Sequence, residues 1–205
     1  MEGEYMKGNT QDLTKGSIVK AIILFSVPLL IGNLFQQLYN AVVSYVVGNY
    51  VGKVALAAVG ASTPIINMLI GFFMGISTGA GVVIAQFFGA GDLSKMKKAI
   101  HNSIALTLVI GVVLTVIGLV FNDPILKAIG VPNDVFSEAS TYLSIYFWSL
   151  IFVMIYNMGS GILRSVGDSK RPLYFLIFSS IINIVLDFLF VKNFGFGLRE
   201  QAMLL

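Results

Sequence analysis

The sequence predicts an all-α integral membrane protein crossing the bilayer about five times. Three observations predict it. Hydrophobic residues make up 57% of the 205 residues and charged ones 11%, with a mean hydropathy of +0.88. A soluble domain carries about a quarter charged residues, so the apolar excess must face lipid. Five apolar stretches, 18–47, 54–88, 99–121, 136–163 and 173–191, each approach or exceed the roughly 20 residues that cross the hydrocarbon core. In hydrocarbon each backbone amide must be satisfied within its own segment, which makes these runs helices; barrel strands are about half as long and alternate in polarity. Lys and Arg supply the third observation. Lys7, Lys15, Lys20, Lys95, Lys97, Lys98, Arg164, Lys170 and Arg171 fall on one side, and Lys53, Lys127, Lys192 and Arg199 on the other. That bias places the N-terminus, the 89–98 loop and the 164–172 loop in the cytoplasm.

The elements follow in order. Residues 1–16 are polar, with Glu2, Glu4 and Asp12, and are expected to form a cytoplasmic segment. They lack the basic start and short apolar core of a signal peptide, so the first apolar run reads as a retained span. That span carries Pro28 and a stripe of Asn33, Gln36 and Asn40 at spacings of three and four. Such a stripe glues helices together or lines a watery cavity. The second span contains Pro64 and small residues; Gly71, Gly75 and Gly79 recur every four residues, a spacing that allows close helix packing or, alternatively, a sliding surface. The loop 122–134 contains Pro124, Gly130 and Pro132, and its stretch 124–129 reads as a short interfacial turn. Asn133 or Asp134 is the expected N-cap of the fourth helix. Asn157, near the end of the fourth span, is a further polar candidate or an interhelical contact. Pro172 suits the first turn of the fifth helix. The whole is divided as a lobe over 17–192 and an extracytoplasmic tail over 193–205.

Asp187 is the most informative residue. An ionisable group inside a span is costly and marks function by default. Counting from Pro172 puts it about 22 Å into a core of about 30 Å, so an acid reaching the outer interface is the competing reading. Asn183 lies four residues earlier on the same helix face. A carboxylate and an amide oxygen together can hold a small hard cation such as Na⁺, and a carboxyl there can instead carry a proton. The chain has no Cys and one histidine, His101, which excludes disulfides, thiolate metal sites and multi-histidine sites. It shows no hydrolase or metalloprotease signature, so no enzyme and no cofactor beyond a coupling ion is expected. A net charge of +3 is explained by cytoplasmic loops, not by nucleic acid.

Four motifs in order carry a family resemblance: Leu38-Tyr-Asn-Ala-Val-Val-Ser-Tyr-Val-Val-Gly48; Gly75-Ile-Ser-Thr-Gly-Ala-Gly81 followed by Ala85-Gln86-Phe-Phe-Gly-Ala-Gly-Asp92; Leu163-Arg-Ser-Val-Gly-Asp-Ser-Lys-Arg-Pro172; and Asn183-Ile-Val-Leu-Asp187. Together they resemble the N-terminal lobe of multidrug and toxic compound extrusion (MATE) transporters. The resemblance implies an antiporter, coupled to Na⁺ or H⁺, that exports organic and often cationic compounds across the plasma or inner membrane. It implies two six-helix lobes around a central cavity, with a cation or proton site at Asp187 and Asn183 and cavity positions at Gln36, Asn40 and Asn157. Membrane lipid and a partner chain supplying the second lobe are the other implied partners. Three features depart from the family pattern. Val43 stands where the family usually has an Asp, the chain stops before a sixth span, and the tail 198–205 does not resemble the family's sixth-span start. A truncated gene product with a frameshifted tail is the hypothesis, and the nucleotide sequence tests it. The alternative is a non-transporting remnant or a helix-packing interaction partner.

Overall fold

The computed structural model describes residues 18–187. The N-terminal segment, the end of the fifth span and the tail expected from the sequence therefore lie outside the described residues. Within them the chain is helical, without strands: α1 (Ile18–Val46), continued by a π-helical turn (Val47–Val51), α2 (Lys53–Gly89), α3 (Leu93–Ala128), α4 (Asn133–Ser165) and α5 (Lys170–Asp187). The first four are long and apolar enough to cross a membrane. The described part of α5 is 18 residues, about 27 Å at 1.5 Å per residue.

Three of the connections are built alike. Gly91, Gly130 and Gly167 have φ of 72°, 75° and 86°, a left-handed conformation that costs glycine nothing. Each sits just past a helix. Gly91 N–H bonds to Phe88 O and Asp92 N–H to Phe87 O; the pairs at the next two turns are Gly130 to Lys127 with Val131 to Leu126, and Gly167 to Arg164 with Asp168 to Leu163. This double bond pattern satisfies the last carbonyls of a helix and reverses the chain. The residue after two of these glycines then starts the following helix. Asp92 accepts the Lys95 N–H at 3.0 Å, and that backbone bond, followed by the Lys95 side chain, holds its carboxyl below the ordinary 3.8. Asp168 Oδ1 accepts the N–H groups of Lys170 and Arg171 at 3.2 and 3.1 Å.

Helix ends therefore differ from the ends of the apolar runs. α3 starts at Leu93 and passes through Pro124 to Ala128, where the sequence suggested a span of 99–121 and a separate turn. Asn122 and Asp123 explain the continuation. Asn122 Nδ2 donates to Ser140 O at 2.8 Å and to Ser144 Oγ at 2.6 Å, and Ser140 Oγ donates to Asp123 Oδ1 at 2.6 Å. These bonds tie α3 to α4 at the two residues just before Pro124, which lacks an amide hydrogen. The expected side-chain cap of α4 is not made: the helix begins at Asn133 itself, behind Pro132.

α2, α3 and α4 pack as a three-helix bundle around Leu69, Phe73, Leu126, Leu143, Phe147 and Leu150. Glycine makes two of its close approaches possible. A Cβ at Gly118 would meet the ring of Phe147, and one at Gly161 would meet Ser77 Oγ. No described atom comes within 4 Å of a Cβ built at Gly71, Gly75 or Gly79. The packing that their spacing suggested is made instead by the row Leu69, Phe73, Ser77 and Ile84 on another side of α2. Both rows repeat every four residues as far as Ser77 and Gly79, and the one with large side chains gains more by burial. α1 pairs with α5 and touches the bundle little. The outward surface is apolar, as at Val109, Val116 and Val120 of α3 and Phe152 of α4, which suits lipid.

Candidate functional site

The separation of α1–α5 from the bundle leaves a cavity of about 380 Å³ between them. Its polar lining comes from three helices and the 166–169 turn: Asn33, Gln36 and Asn40 of α1, Asn67 of α2, Asn157 and Arg164 of α4, and Ser169 just before α5. All three residues assigned to a cavity from sequence, Gln36, Asn40 and Asn157, are brought together here. Met74, Asn157 and Arg164 also line an adjoining recess of about 300 Å³ that reaches Phe25, Ser77 and Gly81. A cavity of several hundred Å³ is in the range that holds a drug-sized molecule.

The wall on the α2–α4 side is fixed by short side chains. Ser77 Oγ donates to the backbone oxygen of Asn157 at 2.9 Å. A Cβ at Gly81 would stand 3.6 Å from Ser165 Cβ and 3.7 Å from Gly161 O. Thus Ser77 and Gly81 face Asn157, Gly161 and Ser165, and the helices meet through small residues. Asn157 Nδ2 donates to Val153 O at 2.8 Å, which orients the amide and leaves its oxygen available to a ligand.

Asn67, Arg164 and Ser169 were not singled out as cavity residues from sequence. Arg164 was counted only toward the charge bias of a loop. Its Nε is buried without a hydrogen-bond partner among the described residues, at the end of the cavity bounded by Ser169. Asp168, four residues on, is 1% exposed; its Oδ2 lies 3.2 Å from Arg171 Nε in an alignment too poor for a hydrogen bond. The polar residues Asn67 and Ser169 carry no periodic signal, which is why pattern alone did not find them.

Asn183 meets α1 at Tyr39, beside the Asn33–Gln36–Asn40 stripe. Its Nδ2 is 3.4 Å from the hydroxyl of Tyr39, a long hydrogen bond. A Cβ on Gly32 would lie 3.5 Å from Leu173 and 3.6 Å from Leu176. Seven residues along each helix, Tyr39 meets Asn183, so α1 and α5 run parallel in a constant register. One further turn brings Val43 to the level of Asp187. Val43 is 7% exposed and belongs to the apolar core. Asp187 is the last residue of α5 that the structure describes.

A family model described as MatE matches residues 28–189. The chain is 37% identical over 188 residues to "Probable multidrug resistance protein YoeA" of Bacillus subtilis (strain 168), a match covering 91% of this chain and 41% of that protein. It is 28% identical over 185 residues to "Multidrug export protein MepA" of Staphylococcus aureus (strain MRSA252), covering 90% of this chain and 41% of that one. Among solved structures, one described as the outward-facing conformation of a multidrug resistance MATE family transporter of the MOP superfamily superposes with a TM-score of 0.87 at 31% identity, over 95% of this chain and 44% of that one. Another, MATE in the straight conformation, gives a TM-score of 0.86 at 31% identity, over 95% of this chain and 44% of that one. The chain spans about two fifths of the length of the curated relatives it matches.

Proposed function

We propose that this chain, which belongs to the MatE family, forms one lobe of a multidrug export transporter and lines part of the drug path with the cavity between α1–α5 and the α2–α4 bundle. The observation that carries this is the convergence of Gln36, Asn40 and Asn157, from two helices distant in sequence, on one cavity of about 380 Å³. The amides there offer donors and acceptors without fixing one ligand geometry, and Met74, Ile70 and Val153 supply apolar contact. That mixture suits organic compounds of varied shape. The N-terminal side faces the cytoplasm in this reading, in a plasma or inner membrane, and a second lobe from a partner chain closes the path.

The coupling site is proposed at Asn183 and Asp187, beside Tyr39, with Na⁺ or H⁺ as the ion. The α1–α5 pair is the moving part. It carries the proposed ion site about one turn beyond the Asn33–Gln36–Asn40 stripe of α1, so neutralising the acid shifts the helix that forms the cavity wall. The pair's slight contact with the bundle keeps such a shift inexpensive.

Ethidium accumulation in efflux-deficient cells tests the function. The chain co-expressed with the remaining part of the B. subtilis relative is expected to lower accumulation, and Gln36→Leu or Asn157→Leu is expected to restore it. Unchanged accumulation, with both pieces present in the membrane, contradicts the transport reading and favours the remnant.

A further inference from the structure

We propose that the groove between α2 and α3, at the end where the 90–92 turn joins them, is a binding site for an anionic phospholipid. The groove encloses about 520 Å³ and lies apart from the drug cavity. Its floor is apolar, formed by Ile76, Val83, Leu106 and Met158. Gly79 also lines it, and nothing lies within 4 Å of a Cβ built there, so the groove is open to the bilayer along a stretch of bare backbone.

Its chemistry is layered along α3. Lys95 and Lys98 stand at the rim, Asn102 lies one turn below Lys98, and Leu106 one turn below Asn102. Lys95 is neutralised by Asp92 at 2.9 Å and rests 6.0 Å from the centroid of Phe87. Lys98 is exposed and has no ion-pair partner among the described residues, which leaves the rim with one uncompensated positive charge. A cation, then an amide, then hydrocarbon is the order of a phosphate, its glycerol esters and an acyl chain. The dimensions agree. Lys95 to Leu106 spans about 16 Å of helix, and one leaflet's hydrocarbon is about 15 Å deep. Basic pockets between transmembrane helices hold anionic headgroups in this way. An acidic peptide would satisfy Lys98 but not the wall at Ile76 and Leu106. The inference rests on the transmembrane placement of α2 and α3, and its failure leaves the transport reading untouched.

The test uses the whole chain purified in mild detergent. It is offered phosphatidylglycerol and phosphatidylcholine with identical acyl chains, and the lipid retained is counted by native mass spectrometry. Phosphatidylglycerol is expected to be retained at least about fivefold over phosphatidylcholine. Lys98→Gln is expected to remove most of that preference, Lys98→Arg to keep it, and Lys127→Gln, at the opposite end of α3, to leave it unchanged. Lys98 is exposed, so its replacement does not threaten folding. Glycerol 3-phosphate, which offers the phosphate without acyl chains, is expected not to displace the bound lipid. Equal retention of the two lipids, an unaltered preference in Lys98→Gln, or displacement by glycerol 3-phosphate overturns the proposal.

Discussion

Replacing Gly161 by Ala is expected to lower the stability of the chain by about 2–4 kcal/mol, and replacing Ser77 by Ala in the same molecule is expected to recover most of that loss. The added methyl group lands on Ser77 Oγ, and it comes within 3.3 Å of both Ser77 Cβ and Ser77 O. The hydroxyl has nowhere to go without abandoning its bond to the Asn157 backbone. Overpacking costs about 1–3 kcal/mol and a lost hydrogen bond about 1. Removing the hydroxyl leaves contacts that are tight but tolerable. Ser77→Ala alone therefore costs about 1 kcal/mol, and the double variant lies well above the sum of the singles. Thermal unfolding in detergent reads all four proteins. Strict additivity contradicts this geometry at the α2–α4 crossing.

Val43→Asp is expected to have an effect of comparable size, and one that depends on ions. The position is 7% exposed within the apolar core. A carboxylate there costs about 2–3 kcal/mol when nothing neutralises it. By the register of α1 and α5 it stands at the level of Asp187, beside the proposed ion site. Adding Na⁺ at pH 8 is expected to recover the loss if the site takes a metal cation, and lowering the pH without Na⁺ if it takes a proton. Asn183→Ala or Asp187→Asn is expected to abolish the recovery by Na⁺. A Val43→Asp protein that Na⁺ does not restore, and whose recovery at low pH is unaltered by Asp187→Asn, contradicts such a site between these helices.

The spans were legible because the bilayer imposes a minimum apolar length, and length survives in sequence without any contact being known. Helix ends were not legible by that rule. Apolar length reports the thickness of hydrocarbon, whereas α3 ends where Gly130 turns the chain and begins where Asp92 caps it. The repeated Gly-Asp at 91–92 and 167–168 was visible, but its two-sided role, closing one helix and capping the next, needed backbone geometry. The polar stripe of α1 was readable because spacing alone puts Asn33, Gln36 and Asn40 on one face. Its meeting with Asn157 rests on helix packing more than a hundred residues apart in the chain. The glycine stripe did not reveal the α4 contact because Gly71, Gly75 and Gly79 share one period with the row Leu69, Phe73 and Ser77. Only the partner helix decides between them, and α4 lies against Ser77. Asn122 sits at a proline that suggested a break, and the bonds that keep the helix whole come from α4.

The cavity between α1–α5 and the α2–α4 bundle is proposed as a water-accessible drug path. The absence of cysteine makes single introduced thiols clean reporters. Gln36→Cys and Asn157→Cys are expected to react with a hydrophilic cationic methanethiosulfonate reagent in membranes, Val116→Cys on the lipid face is expected not to, and ethidium is expected to slow the first two by at least several-fold. Inert thiols at 36 and 157, or reaction that ethidium leaves unchanged, would contradict it.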